Sequence, residues 1–279
     1  RRGFIFQGSE VYGGLAGTWD YGPLGITLKR NIINLWWRTF VESRDDMYGV
    51  DAAILMNPKV WQASGHVDTF TDPLVECSEC KGRFRADKID ISRCPTCGKQ
   101  GTFGEPRQFN MMFKTNVGSV EDENSVAYLR PETAQGIFTN YKNIVDTLYP
   151  DLPFGVAQVG KAFRNEISPR DFIFRSREFE QMEMEWFCHP DESKMWFDFW
   201  VEQRHRWWLS LGVPSHLLHL HTIPLEEVAH YAKEGHGNVD IEFQYPFTAP
   251  GFGELEGIAH RCDFDLNAHQ QHSGVKLEY

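Results

Sequence analysis

The stretch from Phe163 to Trp186, FRNEISPRDFIFRSREFEQMEMEW, constrains this chain more than any other, because it lays a high density of charge on two short strands joined by a loop. An ordinary sheet does not carry such charge unless something bound there uses it. The two-residue period of a strand sets Gln158, Gly160, Ala162, Arg164 and Glu166 on one face of the arm from Val156 to Glu166. In the second arm Phe179, Gln181, Glu183 and Glu185 share a face, while Glu180, Met182, Met184 and Trp186 point the other way. Methionine and tryptophan suit a packed back, leaving Phe179, Gln181 and Glu183 to line a polar front. That front offers a guanidinium for phosphate, an aromatic face for a base and carboxylates for an ammonium. Together these are the needs of a site for ATP and an amino acid. A surface hairpin laced by ordinary cross-strand ion pairs is the competing reading.

Four of the six cysteines form a second pattern, Cys77-x2-Cys80 and Cys94-x2-Cys97 separated by thirteen residues. Each pair can present two thiolates from one tight knuckle, and two knuckles close a tetrahedral shell around zinc. Such a closed shell leaves no position for water, so the role expected is structural. Cys188 and Cys262 are expected to be core thiols.

A length of 279 residues with 41% hydrophobic content allows a sizeable core. The reading is one large domain, residues 1–76 and 108–279, with a small insertion at 77–107. No apolar run approaches a membrane span and no leader is visible at the first residues, so a soluble, cytoplasmic protein with no membrane partner is expected. The net charge of -11 argues against a generic nucleic-acid binder, because an acidic surface repels phosphate. The insertion is locally basic, with Lys81, Arg83, Arg85, Lys88, Arg93, Lys99 and Arg107. Contact with RNA and a merely solvated basic face both fit that patch.

Pro23 opens a helix whose apolar residues Leu24, Leu28, Ile32, Leu35, Trp36 and Phe40 recur every three or four positions. A second helix start is expected at Arg130-Pro131-Glu132, with Pro131 at the first position and Glu132 in the first turn. A third helix is expected from about Asp191 to Leu211, stopped by Gly212 and Pro214. Strand patterns return at Val239–Phe243 and Glu254–Ile258.

Phe163-Arg164-Asn165-Glu166, a loop, then Phe174-Arg175-Ser176-Arg177-Glu178-Phe179 resembles motif 2 of the class II aminoacyl-tRNA synthetases. The continuation Phe179-Glu180-Gln181-Met182-Glu183 resembles their glycine-specific branch. Trp19-Asp20-Tyr21-Gly22-Pro23-Leu24-Gly25, Ser64-Gly65-His66, Phe109-Asn110-Met111-Met112-Phe113, Arg130-Pro131-Glu132-Thr133 and Gly253-Glu254-Leu255-Glu256-Gly257 follow in that branch's order, so the resemblance spans essentially the whole chain.

The resemblance implies an α+β fold, an antiparallel β-sheet flanked by helices, with a zinc-ribbon insertion. Motif 1, about 23–58, would support a homodimer, although the same helix could simply pack on its own sheet; motif 2 would span about 156–187. The implied reaction joins glycine to its tRNA through a glycyl-adenylate, using ATP and Mg2+ beside the structural Zn2+. Arg164 would hold the α-phosphate and Glu166 the adenine amino edge, with Phe179 stacked on the base. Asn165, Phe174, Arg175, Ser176, Arg177, Glu178, Glu254 and Leu255 complete the implied ATP site. Arg85, Glu132, Phe179, Glu180, Gln181, Met182 and Glu183 form the implied glycine site. His66 is tempting as a base but is weighed as structural, since this activation uses little acid–base chemistry. No motif 3 precedes Tyr279, which implies a catalytic-domain portion of a longer protein and leaves an inactive fragment as one alternative. A catalytically inactive accessory or binding protein is the other; it predicts erosion of Arg164, Glu166, Glu132 and Glu183, all of which are present.

Overall fold

The structure is a computed structural model that describes residues 2–122 and 125–279. They fall into two compact units, one of residues 1–143 and 156–185 and one of residues 144–155 and 186–279.

In the first unit, β1 (Ile5–Gln7) pairs antiparallel with β2 (Trp19–Tyr21), and α1 (Pro23–Trp37) follows with proline at its first turn. One wide π-helical turn, Arg38–Glu42, extends α1. After β3 (Met47–Gly49) and β4 (Leu55–Met56) comes α2 (Pro58–Ala63), whose N-cap Asn57 accepts the Lys59 N–H at 3.0 Å. The short α3 (His66–Thr69) follows Gly65, whose φ of 79° closes a tight turn. Then come β5 (Thr71–Glu76), β6 (Arg83–Arg85), β7 (Arg107–Asn110), β8 (Lys114–Asn116), β9 (Val126–Leu129), α4 (Ala134–Leu148), β10 (Phe154–Phe163) and β11 (Glu178–Phe187).

These strands form three-stranded sheets ordered β4-β9-β8, β6-β5-β7 and β11-β10-β3; the pairings within the first two are antiparallel. Trp61, Met112 and Tyr128 make a core cluster, with Met56, Val60, Val67, Phe70 and Val126 packed on it. Beside it lies a buried polar joint. Arg130, 2% exposed, donates from Nε to the Lys161 carbonyl at 2.6 Å and from Nη1 to the Ala52 carbonyl at 2.7 Å. The Gln158 carboxamide oxygen accepts from the same Nη1 at 2.8 Å. Burial lowers the Arg130 pKa, an effect the Asp51 carboxylate opposes. A Cβ at Gly160 would collide with this guanidinium, so β10 carries glycine there for close approach.

In the second unit, Trp186 packs on Trp196 and Trp200 of α5 (Ser193–Ser210) at centroid distances of 5.0 and 5.1 Å. β12 (Leu218–Thr222), β13 (Asn238–Phe243) and β14 (Gly253–Ala259) make an antiparallel sheet in that order, followed by α6 (Phe264–Ser273). Arg204 of α5 donates to Glu256 of β14 from Nε at 2.5 Å and Nη2 at 3.0 Å, and Trp208 Nε1 joins at 2.7 Å.

The expected α+β class, with antiparallel sheets and helices, is what the chain forms. Three local expectations change. The helix expected at Pro131 begins at Ala134, because Thr133 spends its N–H and hydroxyl on β11 instead of on a first helical turn. The stripe of α1 divides: Trp36 and Phe40 are buried, whereas Leu24 and Leu28 are 53% and 51% exposed. Cys262 is exposed, and Cys188 is half-buried, because neither lies within a packed apolar layer.

Candidate functional site

The hairpin of β10 and β11 ends in the loop 164–177. Arg164 donates from Nε to the Pro131 carbonyl at 3.0 Å, and its guanidinium lies over the Phe70 ring at 5.5 Å and the Phe179 ring at 5.2 Å. Two aromatic faces and one carbonyl thus hold a planar cation in a fixed orientation. Glu166 is buried, and Arg175 Nη1 stands 3.4 Å from its Oε2. Arg177 is spent on the backbone: Nε and Nη2 donate to the Glu166 carbonyl at 3.2 and 3.0 Å, and Nη1 donates to the Ala16 carbonyl at 2.8 Å. Its own N–H meets the Gly17 carbonyl at 2.7 Å, so the segment before β2 is fastened to the loop. Arg170 and Arg175 close the loop's tip as an isolated bridge, inside which Asp171 and Phe172 both have φ of 56°. Phe174 lies in that exposed tip, while the Ser176 hydroxyl turns inward to the Glu178 carbonyl at 3.0 Å.

Arg85 enters from β6. Its Nη1 lies 2.9 Å from Asp72 Oδ2 on β5, an ion-pair contact without hydrogen-bond alignment, while Nε and Nη2 clasp Asp87 at 3.1 and 2.8 Å. Burial raises the Asp72 pKa, and Arg85 and then Arg175 pull it back down. Glu166 acts in turn on Arg85, after Asp87 and Asp72, so these side chains share one electrostatic neighbourhood.

Along the front of β11 the segment 131–133 makes a second cluster. The Thr133 N–H donates to Gln181 Oε1 at 3.2 Å, and its hydroxyl donates to Glu183 Oε2 at 2.8 Å. Glu132 accepts from Gln135 Nε2 at 2.9 Å on one oxygen, and its other oxygen faces His66 Nε2 at 3.5 Å. Asn110 donates to the His66 and Val67 carbonyls at 3.3 and 2.7 Å, tying the Gly65 turn to β7.

Strand alternation turns Glu178, Glu180 and Met182 to the other face. There Glu178 pairs with Lys161, and Glu180 pairs with Lys29 of α1, which also lies over Tyr21. Asn165 contributes its N–H to the Met111 carbonyl at 2.7 Å. Glu254 and Leu255 belong to β14 of the second unit. Glu254 is exposed and pairs in register with Glu242; beside them burial, then Glu254 and Glu242, push the Asp240 carboxyl up to about 6. Residues that the sequence reading passed over are Thr133, Asp72 and Asp87. Their only signal was proximity to Glu132 and Arg85 in a charged neighbourhood.

The four cysteines converge. Their sulfurs all lie within 4.8 Å of one another, with Cys77–Cys97 at 3.7 Å and Cys80–Cys94 at 3.6 Å. A tetrahedron with zinc–sulfur bonds of about 2.3 Å has edges of about 3.8 Å, so the donor set and its spacing fit zinc and exclude a disulfide. Both knuckles have one backbone design: Cys77 accepts from the Lys81 N–H and Cys94 from the Gly98 N–H, each at 2.9 Å, and Lys81 and Gly98 have φ of 59° and 72°. The Cys80 backbone and then the Thr102 hydroxyl lower the Cys77 thiol to about 6, toward the thiolate a metal requires. Within the basic patch Arg83 pairs with Glu76, Lys99 with Glu79 and Arg85 with Asp72 and Asp87.

A family model described as tRNA synthetase class II core domain (G, H, P, S and T) matches residues 93–270. A glycine–tRNA ligase of Bifidobacterium longum is 50% identical over 296 residues, covering 100% of this chain and 60% of that protein. Proteins of the same name from Treponema denticola and Streptomyces coelicolor are 51% and 48% identical, again over 100% of this chain and over 61% and 64% of theirs. The chain thus spans under two thirds of the length of these relatives.

Proposed function

The chain belongs to the class II tRNA synthetase core-domain family, and from that premise we propose that it activates glycine with ATP and passes the glycyl group to tRNA. One observation carries the reading: a single face of β11 holds the Arg164 stack at Phe179 and, one and two alternations further on, Gln181 and Glu183 fastened to Thr133. A cation fit for phosphate therefore stands next to carboxylates fit for an ammonium. That is the arrangement needed to bring a zwitterionic amino acid against a nucleotide.

In this reading the glycine carboxylate attacks the α-phosphorus of ATP, and the bond to the bridging oxygen breaks to release pyrophosphate. Arg164 draws charge from the α-phosphate, Arg175 approaches the other phosphates, and Glu166 accepts from the adenine amino group. Glu132 and Glu183 receive the ammonium, with Gln181 beside them, and Arg85 supports the substrate side. Magnesium supplies charge offset to the phosphates when bound. Glu254 and Leu255 are assigned to the nucleotide on resemblance. Zinc in the four-thiolate shell orders the insertion, residues 77–107, without entering the chemistry.

Two partners follow. A second copy of the chain is the occupant assigned to the apolar residues left open near the N-terminus, Val11, Tyr12, Leu15, Leu24 and Leu28, which are 51–90% exposed. Transfer RNA for glycine is the other. No helix among the described residues is long and apolar enough to cross a membrane; we place the reaction where ATP and tRNA meet, in the cytoplasm.

Pyrophosphate exchange into ATP tests the reading. In the full-length protein, glycine should support it and alanine or serine should support it at least about 100-fold less. Equal exchange with alanine would sink the specificity, and none with any amino acid would sink the activity.

A further inference from the structure

We infer that His66 is a positioning residue for the reaction proposed above, on which this inference rests: its Nε2–H orients the Glu132 carboxylate that receives the substrate ammonium. The ring is held from every side. Ser64 Oγ is 2.8 Å from Nδ1, and Nε2 is 3.5 Å from Glu132 Oε2. Trp61 meets the ring edge-on at 5.6 Å, and Phe70 tilts against it at 5.3 Å. Its backbone is fixed as well, because Asn110 grips the carbonyls of His66 and Val67 and Gly65 takes a left-handed φ of 79°.

The surroundings decide where the ring carries its proton. A carboxylate only accepts, so the nitrogen facing Glu132 must bear hydrogen. Ser64 is 4% exposed, and its hydroxyl has two neighbours, His66 Nδ1 and the Trp61 carbonyl at 3.4 Å. Donating to Nδ1, it fixes the neutral Nε2–H tautomer; donating to Trp61, it accepts from an imidazolium. Both states leave hydrogen on Nε2, the nitrogen that faces Glu132.

One ring nitrogen braces the turn through Ser64, and the other faces a carboxylate 66 positions away whose other oxygen Gln135 already holds. With Gln135 on one oxygen and His66 facing the other, the carboxylate is oriented before glycine arrives, which removes an ordering cost from binding.

The test uses the full-length protein in glycine-dependent pyrophosphate exchange. His66→Asn keeps a group near Nδ1 and removes Nε2; His66→Gln places an amide nitrogen near Nε2. H66N should raise the glycine KM about tenfold while the ATP KM stays within about twofold, and H66Q should recover most of the loss. In a Glu132→Gln background H66N should add less than about twofold, the signature of two residues acting through one contact. If H66N does not fold, His66→Leu, which fills the space between Trp61 and Phe70 without a donor, makes the same comparison with H66Q. An unchanged glycine KM, equal rises in both KM values, or full additivity with E132Q overturns the inference while leaving the parent activity intact. Absence of glycine-dependent exchange in the unmutated protein overturns the parent reading and this one with it.

Discussion

Arg85 Nη1 stands 2.9 Å from Asp72 Oδ2, and the turn that brings their strands together is the first cysteine knuckle. β5 runs directly into Cys77, and Cys80 and Gly82 lead directly into β6, so the cysteine cluster is the clasp of the hairpin that carries this pair. Elemental analysis of protein never exposed to chelator should find about one zinc per chain, as a four-thiolate structural site binds. Stripping the metal should reduce glycine-dependent exchange about tenfold or more, in line with the loss of a supporting shell. Arg85→Ala should reproduce that fall with zinc content unchanged. Clearly less than one zinc, or full exchange after stripping, would break the link.

Gly160→Ala should destabilise the protein by about 1–3 kcal/mol, the range for overpacking, because its methyl would meet a guanidinium held by two carbonyls and Gln158. Urea unfolding followed by tryptophan fluorescence would read this as a lower midpoint. An unshifted midpoint would mean that Arg130 can move aside.

Asp240 yields a pH test of the second unit. Burial first, then Glu254 and Glu242, raises its carboxyl from 3.8 to about 6. A raised acid favours the fold while protonated, so this destabilising contribution is absent below the unfolded value, grows between the two values and is complete above about 6. Asp240→Asn should therefore melt higher than the parent at pH 7.5, and the gain should shrink toward pH 4.5. A gain that is constant across this range would exclude titration of Asp240 as its cause.

Leu24→Glu with Leu28→Glu should convert a dimer to monomers in sedimentation velocity, since these side chains are half exposed in one chain. An unmutated protein that sediments as a monomer at micromolar concentration would remove the second copy from the proposal.

Much of the geometry of β11 could be read from the sequence because a strand's side chains obey a fixed alternation. Phe179, Gln181 and Glu183 share the face of β11 that meets Arg164 and Thr133, and Glu180 turns back to Lys29, as the period of two requires. The four clustered cysteines were equally legible, since knuckle spacing encodes local geometry. What escaped depends on partners distant in sequence. Thr133 reads as part of a helix start until Gln181 and Glu183 claim it. Arg177 looks like a phosphate ligand, yet its guanidinium nitrogens hold the carbonyls of Glu166 and Ala16. The stripe on α1 has a period but no record of what covers it, so Leu24 and Trp36 look alike in sequence and differ fully in burial.

The wide turn at Arg38–Glu42 sets the helical phase of the chain that follows α1. Each residue of an α-helix advances the azimuth by about 100°, so one extra residue per turn rotates everything after it by roughly that angle. Phe40 and Val41 lie within this turn and are buried, whereas Leu24 and Leu28 at the start of α1 are half exposed. Losing a single residue there would rewind the turn and swing the following chain to another meridian, so this segment tolerates changes of side chain more readily than changes of length.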